Sequence, residues 1–331
     1  MFLCNLDLAH CITIASKRIV IPLGENLSCF RLDFSIPALT SLLTTDPDCD
    51  RYGIAVKNGD DYSLLSGNEV GLLLLDYVCA QRTKHGKLPA DPVFIKTIVT
   101  MDLAERIAAR YAVRTIDILT GFKFIGEQIG YLEEAGKEES YICGFEESYG
   151  YMTGSYVRDK DGVNATFMIC KMFAFYKTRG ISLLEKLDEL WMTYGYCLNT
   201  LHSIEFPGSS EMAKMKEIMP EFRKGLERIA GKKVLEVQDY SKGLNGLPKS
   251  DVLKYLLEGH YSVVVRLSGT EPKLKVYISV LAPDETAARQ IEERMAKKLS
   301  SRFLQIADIT TSAEAERMSI ALARAKRPAE V

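Results

Sequence analysis

Three aspartates alternate with other residues in Asp46-Pro47-Asp48-Cys49-Asp50, and Arg51 follows at once. In an extended segment residues i, i+2 and i+4 project to one side, so these carboxylates would converge. The interleaved Pro47 and Cys49 favour such an extended run over a helix. Three converging carboxylates repel one another unless a cation sits among them. Mg²⁺ is the natural occupant, and a guanidinium beside it could clamp a transferring phosphoryl group. A calcium-binding EF-hand loop is excluded, because Arg51 and Lys57 stand where that loop needs a glycine and a closing glutamate. A solvated acidic turn is the plain alternative.

Gly144-Phe145-Glu146-Glu147-Ser148-Tyr149-Gly150-Tyr151 could accept from and donate to several sugar hydroxyls at once. It could also be a charged loop between turn glycines. In Arg266-Leu267-Ser268-Gly269-Thr270-Glu271-Pro272-Lys273, an arginine, two hydroxyls and a glycine make an anion cradle. Gly269 would let backbone N–H groups approach oxygen closely, and Arg266 could bind two oxygens. An ordinary hairpin turn is the competing reading. Lys123, in Thr120-Gly121-Phe122-Lys123, could reach a substrate oxygen or move a proton, or could simply face solvent.

The elements that would position these motifs follow from the apolar patterning. Leu42 to Thr45 and Tyr52 to Val56 read as a hairpin carrying the aspartate loop, with a turn at Asn58-Gly59-Asp60-Asp61. Ser66 to Gln81 reads as a helix. Val93-Phe94-Ile95, Ile116-Asp117-Ile118 and Ser140 to Cys143 read as strands. Helices are expected to start near Thr100 and Thr120 and to cover Asn164 to Arg179, where Gly180 is a stop signal. Ser182 is expected to cap a helix from Leu183 to Tyr194, with Glu185 as its partner. This alternation predicts a three-layer α/β/α domain from about 62 to 195, with ligand loops at the carboxyl ends of its strands. Beyond Pro207-Gly208 the pattern changes to a charged helix over Ser210 to Ile229, strands at Val234 to Val237, Ser262 to Leu267 and Lys275 to Leu281, and a helix from Asp284 to Leu299. That predicts a smaller α+β domain. Cys11 to Ile21 is β-prone without a clear period.

The net charge of −2 removes any bulk attraction to nucleic acid or to an anionic membrane, so an anionic ligand needs a local donor cluster. No apolar run approaches the roughly 20 residues of a spanning helix, since Asp76 breaks the longest candidate. The N-terminus lacks a basic segment leading into a long apolar stretch. The eight cysteines include no Cys-x-x-Cys pair and are expected to be reduced thiols in a cytoplasmic protein.

Together and in this order, the four motifs resemble the α-D-phosphohexomutase superfamily, in particular its phosphoglucomutase/phosphomannomutase branch. The resemblance spans about residues 40 to 300. It implies isomerisation between hexose 1-phosphate and hexose 6-phosphate, with Mg²⁺ as cofactor and glucose 1,6-bisphosphate as intermediate and activator. It implies that Asp46, Asp48 and Asp50 bind the metal and that Arg51 contacts the transferring phosphoryl group. Lys123 would face the substrate, Glu146 and Ser148 would read the sugar, and Arg266, Ser268, Gly269 and Thr270 would hold the non-reacting phosphate. The Phe145 to Gly150 loop is more similar to the glucose enzymes than to the amino-sugar ones, with mannose an open alternative. The implied partners are small hexose phosphates, not nucleic acid or membrane.

The family's phosphoserine lies in a Ser-His-Asn-Pro motif upstream of the metal loop, and that motif does not occur in these 331 residues. The expected organisation is therefore a segment over 1–30, a remnant of domain two with the metal loop over 31–61, and a sugar-binding domain three over 62–200. A phosphate-binding domain four over 203–300 and a tail over 301–331 would follow. A chain without the donor serine is expected to bind its metal weakly, to be of low stability, and either to turn over poorly or only to bind sugar phosphates.

Overall fold

A computed structural model describes residues 19–20, 31–32, 41–45, 48–205, 217–268 and 273–306. Asp46, Gly269, Thr270, most of the segment before 41 and the tail after 306 lie outside the described residues. The chain divides into two units, one ending at Leu190 and the other beginning at Trp191.

In the first unit, β1 (Ile19–Val20) pairs with β2 (Arg31–Leu32). β3 (Ser41–Thr45), β4 (Tyr52–Asn58) and β5 (Asp61–Leu65) then form an antiparallel sheet in that order. Thr45 stands opposite Tyr52, which puts the aspartate run at the hairpin end, as the patterning predicts. The turn at Gly59 (φ 61) leads into β5, a strand the patterning does not announce.

Helix α1 (Gly67–Lys84) is capped by Ser66. The Ser66 N–H donates to Glu69 Oε2 at 2.7 Å, and the Glu69 N–H donates to Ser66 Oγ at 3.3 Å. Its Leu72 to Leu75 run is apolar on most faces, as befits a helix enclosed by neighbours. Next come β6 (Val93–Thr97), α2 (Leu103–Arg110), β7 (Arg114–Ile118), α3 (Lys123–Glu134), β8 (Tyr141–Phe145) and β9 (Tyr151–Met152). They are followed by α4 (Gly162–Lys177) and α5 (Leu183–Tyr194). The sheet order is β7-β6-β8-β9, parallel through β8 and antiparallel at β9. Every residue of β6 and β8 is buried, the signature of a sheet covered on both faces. Ser182 and Glu185 cap α5 reciprocally, at 2.7 and 3.1 Å.

Strand β6 continues past the expected Val93-Phe94-Ile95 into Lys96, whose side chain is fully buried. Its Nζ lies 2.9 Å from Asp117, 3.0 Å from Glu105 and 3.5 Å from Asp102. Burial pulls the ammonium down, but these three carboxylates outweigh it and hold Lys96 charged, above the ordinary lysine value. Burial pushes the Cys79 thiol up to about 12 and the Cys143 thiol up as well, so both are unreactive thiols.

The second unit holds β10 (Tyr196–Glu205), a helix α6 described over 217–223, β11 (Arg228–Ile229), β12 (Lys232–Asp239) and β13 (Val252–Leu257). It closes with β14 (Tyr261–Leu267), β15 (Lys273–Ala282) and α7 (Glu285–Ile306). The six strands form one antiparallel sheet in the order β10-β15-β14-β13-β12-β11, and α7 packs on β10 and β15. The helix expected over Ser210 to Ile229 stops early. Gly225 takes φ 90, a left-handed conformation that only glycine adopts freely, and Arg228 and Ile229 become a strand. Among the described residues, no helix is long and apolar enough to cross a membrane.

Candidate active site

The site is built where loops of the first unit meet. Antiparallel pairing of β3 with β4 delivers Asp48, Cys49, Asp50 and Arg51 at the hairpin end. The sugar-type loop leaves β8 and returns as β9, closed by the Glu146 N–H donating to the Gly150 carbonyl at 3.0 Å. The Tyr52 N–H donates to the Tyr149 carbonyl at 3.1 Å, so the aspartate loop and the glutamate loop are stapled backbone to backbone. Cys49 (φ 58) and Tyr149 (φ 69) are both left-handed, the kind of backbone strain that surrounding structure holds at functional loops.

Close approaches fix the loops further. A Cβ on Gly67, the first residue of α1, would overlap the Glu147 carbonyl, and one on Gly162, the first residue of α4, would overlap the Tyr52 hydroxyl and the Cys49 carbonyl. Helix starts are therefore pressed directly against both loops. The buried Tyr151 hydroxyl also donates to the Gly67 carbonyl at 3.2 Å.

Glu146 is only 7% exposed. Its Oε1 accepts from the Gly121 N–H at 3.0 Å, which ties the Thr120-to-Lys123 turn to the glutamate loop. Burial raises the Glu146 carboxyl above its ordinary value, while the Gly121 N–H, Lys160 and Arg51 pull it back. Ser148 is half-buried in the same loop. Lys123 is exposed at the head of α3, its Nζ 5.0 Å from the centre of the Phe124 ring.

In the aspartate loop, Asp48 is exposed and the Asp50 side chain is 27% exposed. Asp50 Oδ2 lies 2.7 Å from Lys160 Nζ, and Asp50 Oδ1 lies 3.6 Å from Arg51 Nε. Nothing local marks Lys160 in the sequence, where it sits in the polar run Arg158-Asp159-Lys160-Asp161. The one hint is that this run directly precedes a helix, capped by Asp161, whose Oδ1 accepts from the Val163 N–H at 2.9 Å. Among the described residues, no three carboxylate, cysteine or histidine side chains converge as a metal cage. Asp48 and Asp50 are nonetheless hard oxygen donors, and Mg²⁺ is commonly held by one or two carboxylates plus waters and phosphate. The donor chemistry of Asp48 and Asp50 suits such a cation, and in this structure Asp50 is paired with the Lys160 ammonium.

In the second unit, Arg266 lies near the end of β14 opposite Lys275, and its side chain is half-buried. The Ser268 N–H donates to the Lys273 carbonyl at 2.8 Å, joining the ends of the described strands on either side of residues 269–272. Of the sequence-predicted residues, Asp50, Arg51, Glu146 and Ser148 are thus brought to joined loops of one unit, Lys123 stands on a turn bonded to them, and Arg266 and Ser268 stand together in the other.

Two family models match this chain: the phosphoglucomutase/phosphomannomutase alpha/beta/alpha domain III over residues 66–194, and the C-terminal domain of the same family over residues 212–298. A phosphoglucomutase of Staphylococcus saprophyticus is 33% identical over 252 residues, covering 72% of this chain and 45% of the relative. One from Staphylococcus aureus is 34% identical over 256 residues, covering 73% and 45%. The chain thus spans about half the length of the curated relatives it matches. Among solved structures, the Paramecium phosphoprotein pp63/parafusin, a phosphoglucomutase, matches with a TM-score of 0.57 at 18% identity, over 89% of this chain and 48% of that one. That likeness extends the agreement in fold, and with the two domain models it leads to one conclusion: the chain belongs to the phosphoglucomutase/phosphomannomutase family.

Proposed function

We propose that this chain carries a hexose-phosphate site of the mutase type, serving isomerisation between hexose 1-phosphate and hexose 6-phosphate through a glucose 1,6-bisphosphate intermediate. The observation that carries this reading is the staple between the loops, in which the Tyr52 N–H bonds the Tyr149 carbonyl at 3.1 Å. It joins the loop of Asp48, Asp50 and Arg51 to the loop of Glu146 and Ser148, and a sugar phosphate would need a cation site and hydroxyl-binding groups together in this way.

Asp46, Asp48 and Asp50 would hold Mg²⁺, which when bound neutralises charge on a transferring phosphoryl group. Arg51 presents a guanidinium next to those carboxylates and can bind two phosphoryl oxygens. Glu146 and Ser148 would read hydroxyls that keep their places when the sugar turns end for end. Burial and the Gly121 N–H fix Glu146 in one orientation, so little side-chain freedom is lost on binding. Lys123, at the head of α3, would meet a substrate oxygen and carry a proton. Arg266, Ser268, Gly269 and Thr270 would hold the phosphate that is not reacting.

The family motif that bears the phosphoryl donor is not among these 331 residues. The chain as given is therefore expected to bind hexose phosphates without a complete catalytic cycle of its own. A coupled assay from glucose 1-phosphate to glucose 6-phosphate, with glucose 1,6-bisphosphate and Mg²⁺ present, tests the second half of this claim. Background-level turnover with measurable bisphosphate binding is expected. Turnover well above background would overturn the binding-only reading, and absence of binding would overturn the site itself.

A further inference from the structure

The strongest candidate outside the residues already assigned is Lys160. Its Nζ lies 2.7 Å from Asp50 Oδ2, and its side chain is only 15% exposed. The route to that partner is built. A Cβ on Gly150 would stand 2.6 Å from Lys160 Cδ and 3.0 Å from Cγ, so the lysine stem crosses the glutamate loop at a residue with no side chain. The backbone end is anchored too, since the Lys160 N–H donates to Asp159 Oδ1 at 2.7 Å just before the capped start of α4. An ammonium with both ends of its path fixed is aimed, not incidental.

We infer that Lys160 is a built-in competitor for the cation at Asp50: it holds the carboxylate when no metal is bound, and a divalent ion must displace it. This rests on the proposed metal role of the aspartate loop. The physical reason is direct. A divalent ion on Asp50 would stand close to the ammonium on the same carboxylate, and partial burial keeps the repulsion between the two cations from being screened away, so the ion pair opposes metal binding.

Calorimetric titration with Mg²⁺, and with Mn²⁺ followed by electron paramagnetic resonance, tests this on the full chain. Lys160→Met is expected to bind either ion about tenfold more tightly than the unaltered chain. Gly150→Ala, which keeps the lysine but pushes its stem aside, should move affinity the same way by less. Lys160→Arg, which keeps the charge, should return affinity toward the starting value, an outcome that a merely structural role would not produce. Equal or weaker binding by both Lys160→Met and Gly150→Ala would overturn the competitor role while leaving the metal site standing. Absence of binding by every chain would overturn the metal reading and this inference with it.

Discussion

Lys96 and Lys160 are both lysines drawn toward carboxylates, and the difference between their surroundings separates scaffold from site. Lys96 is fully buried on β6 and is ringed by Asp102, Glu105 and Asp117, which lie along α2 and β7. Removing any one carboxylate leaves two. Lys160 keeps part of its side chain in solvent and pairs with Asp50, on a loop with a left-handed residue at Cys49. A charge held redundantly locks the elements that hold it. A charge held through a single loop can be exchanged for a ligand. The parallel sheet is therefore pinned at Lys96, next to the last residue of β6, while the site itself stays convertible.

Breaking the first arm should have the largest effect. Lys96→Met leaves three carboxylates facing one another and should cost about 3–5 kcal/mol of unfolding free energy, read by urea denaturation. A loss below about 1 kcal/mol would show that the half-exposed carboxylates simply turn to water, and the contrast with Lys160 would collapse. Next, Gly162→Ala forces a Cβ into the Tyr52 hydroxyl and the Cys49 carbonyl, and should cost about 1–3 kcal/mol while weakening Mg²⁺ binding. Retained metal affinity in that variant would detach α4 from the aspartate loop.

Glu146 gives a smaller effect with a definite pH sign. Its carboxyl is raised above the ordinary 4.5, mainly by burial, so the folded chain holds that proton more tightly than the unfolded chain. Its contribution to stability is present below the unfolded value and is lost as pH rises through the folded value. Glu146→Gln, which can still accept from the Gly121 N–H, should therefore be the more stable chain at neutral pH, and the gain should vanish near pH 4. Thermal melts across that range check it, and a gain independent of pH would contradict the burial account. The smallest effect expected is that of Lys160→Met on stability, under about 1 kcal/mol, because Asp50 keeps access to solvent and Arg51 beside it when the ammonium is removed. A large loss there would make Lys160 a scaffold lysine like Lys96.

What the sequence made legible follows the range of the interactions involved. The β3–β4 hairpin, the buried strand at Val93, the helix after Ser66 and the capped helix start at Ser182 all rest on neighbours a few residues apart, and they were readable. Strand β10 was not. Its residue His202 is buried on a Glu292 that lies 90 positions away, with Nε2 to Oε1 at 2.6 Å, so a polar residue sits where an apolar one would have signalled a strand. Lys96 escaped notice for the same reason, as its carboxylates come from beyond its own strand. Lys160 depends on a missing Cβ at Gly150 and a carboxylate at Asp50, neither within its own turn of chain. The motifs of the site were visible as residue types, whereas the bonds joining them, such as Tyr52 to Tyr149, were not.

The central claim is that the joined loops of the first unit bind a hexose bisphosphate. Its most direct test is calorimetric titration of the chain with glucose 1,6-bisphosphate at fixed Mg²⁺, beside Glu146→Ala and Arg51→Ala variants whose circular dichroism matches the original. Saturable binding by the original chain is predicted, with each variant at least about tenfold weaker, as expected for loss of a charged hydrogen-bonding partner. Equal affinity in all three chains would contradict the assignment.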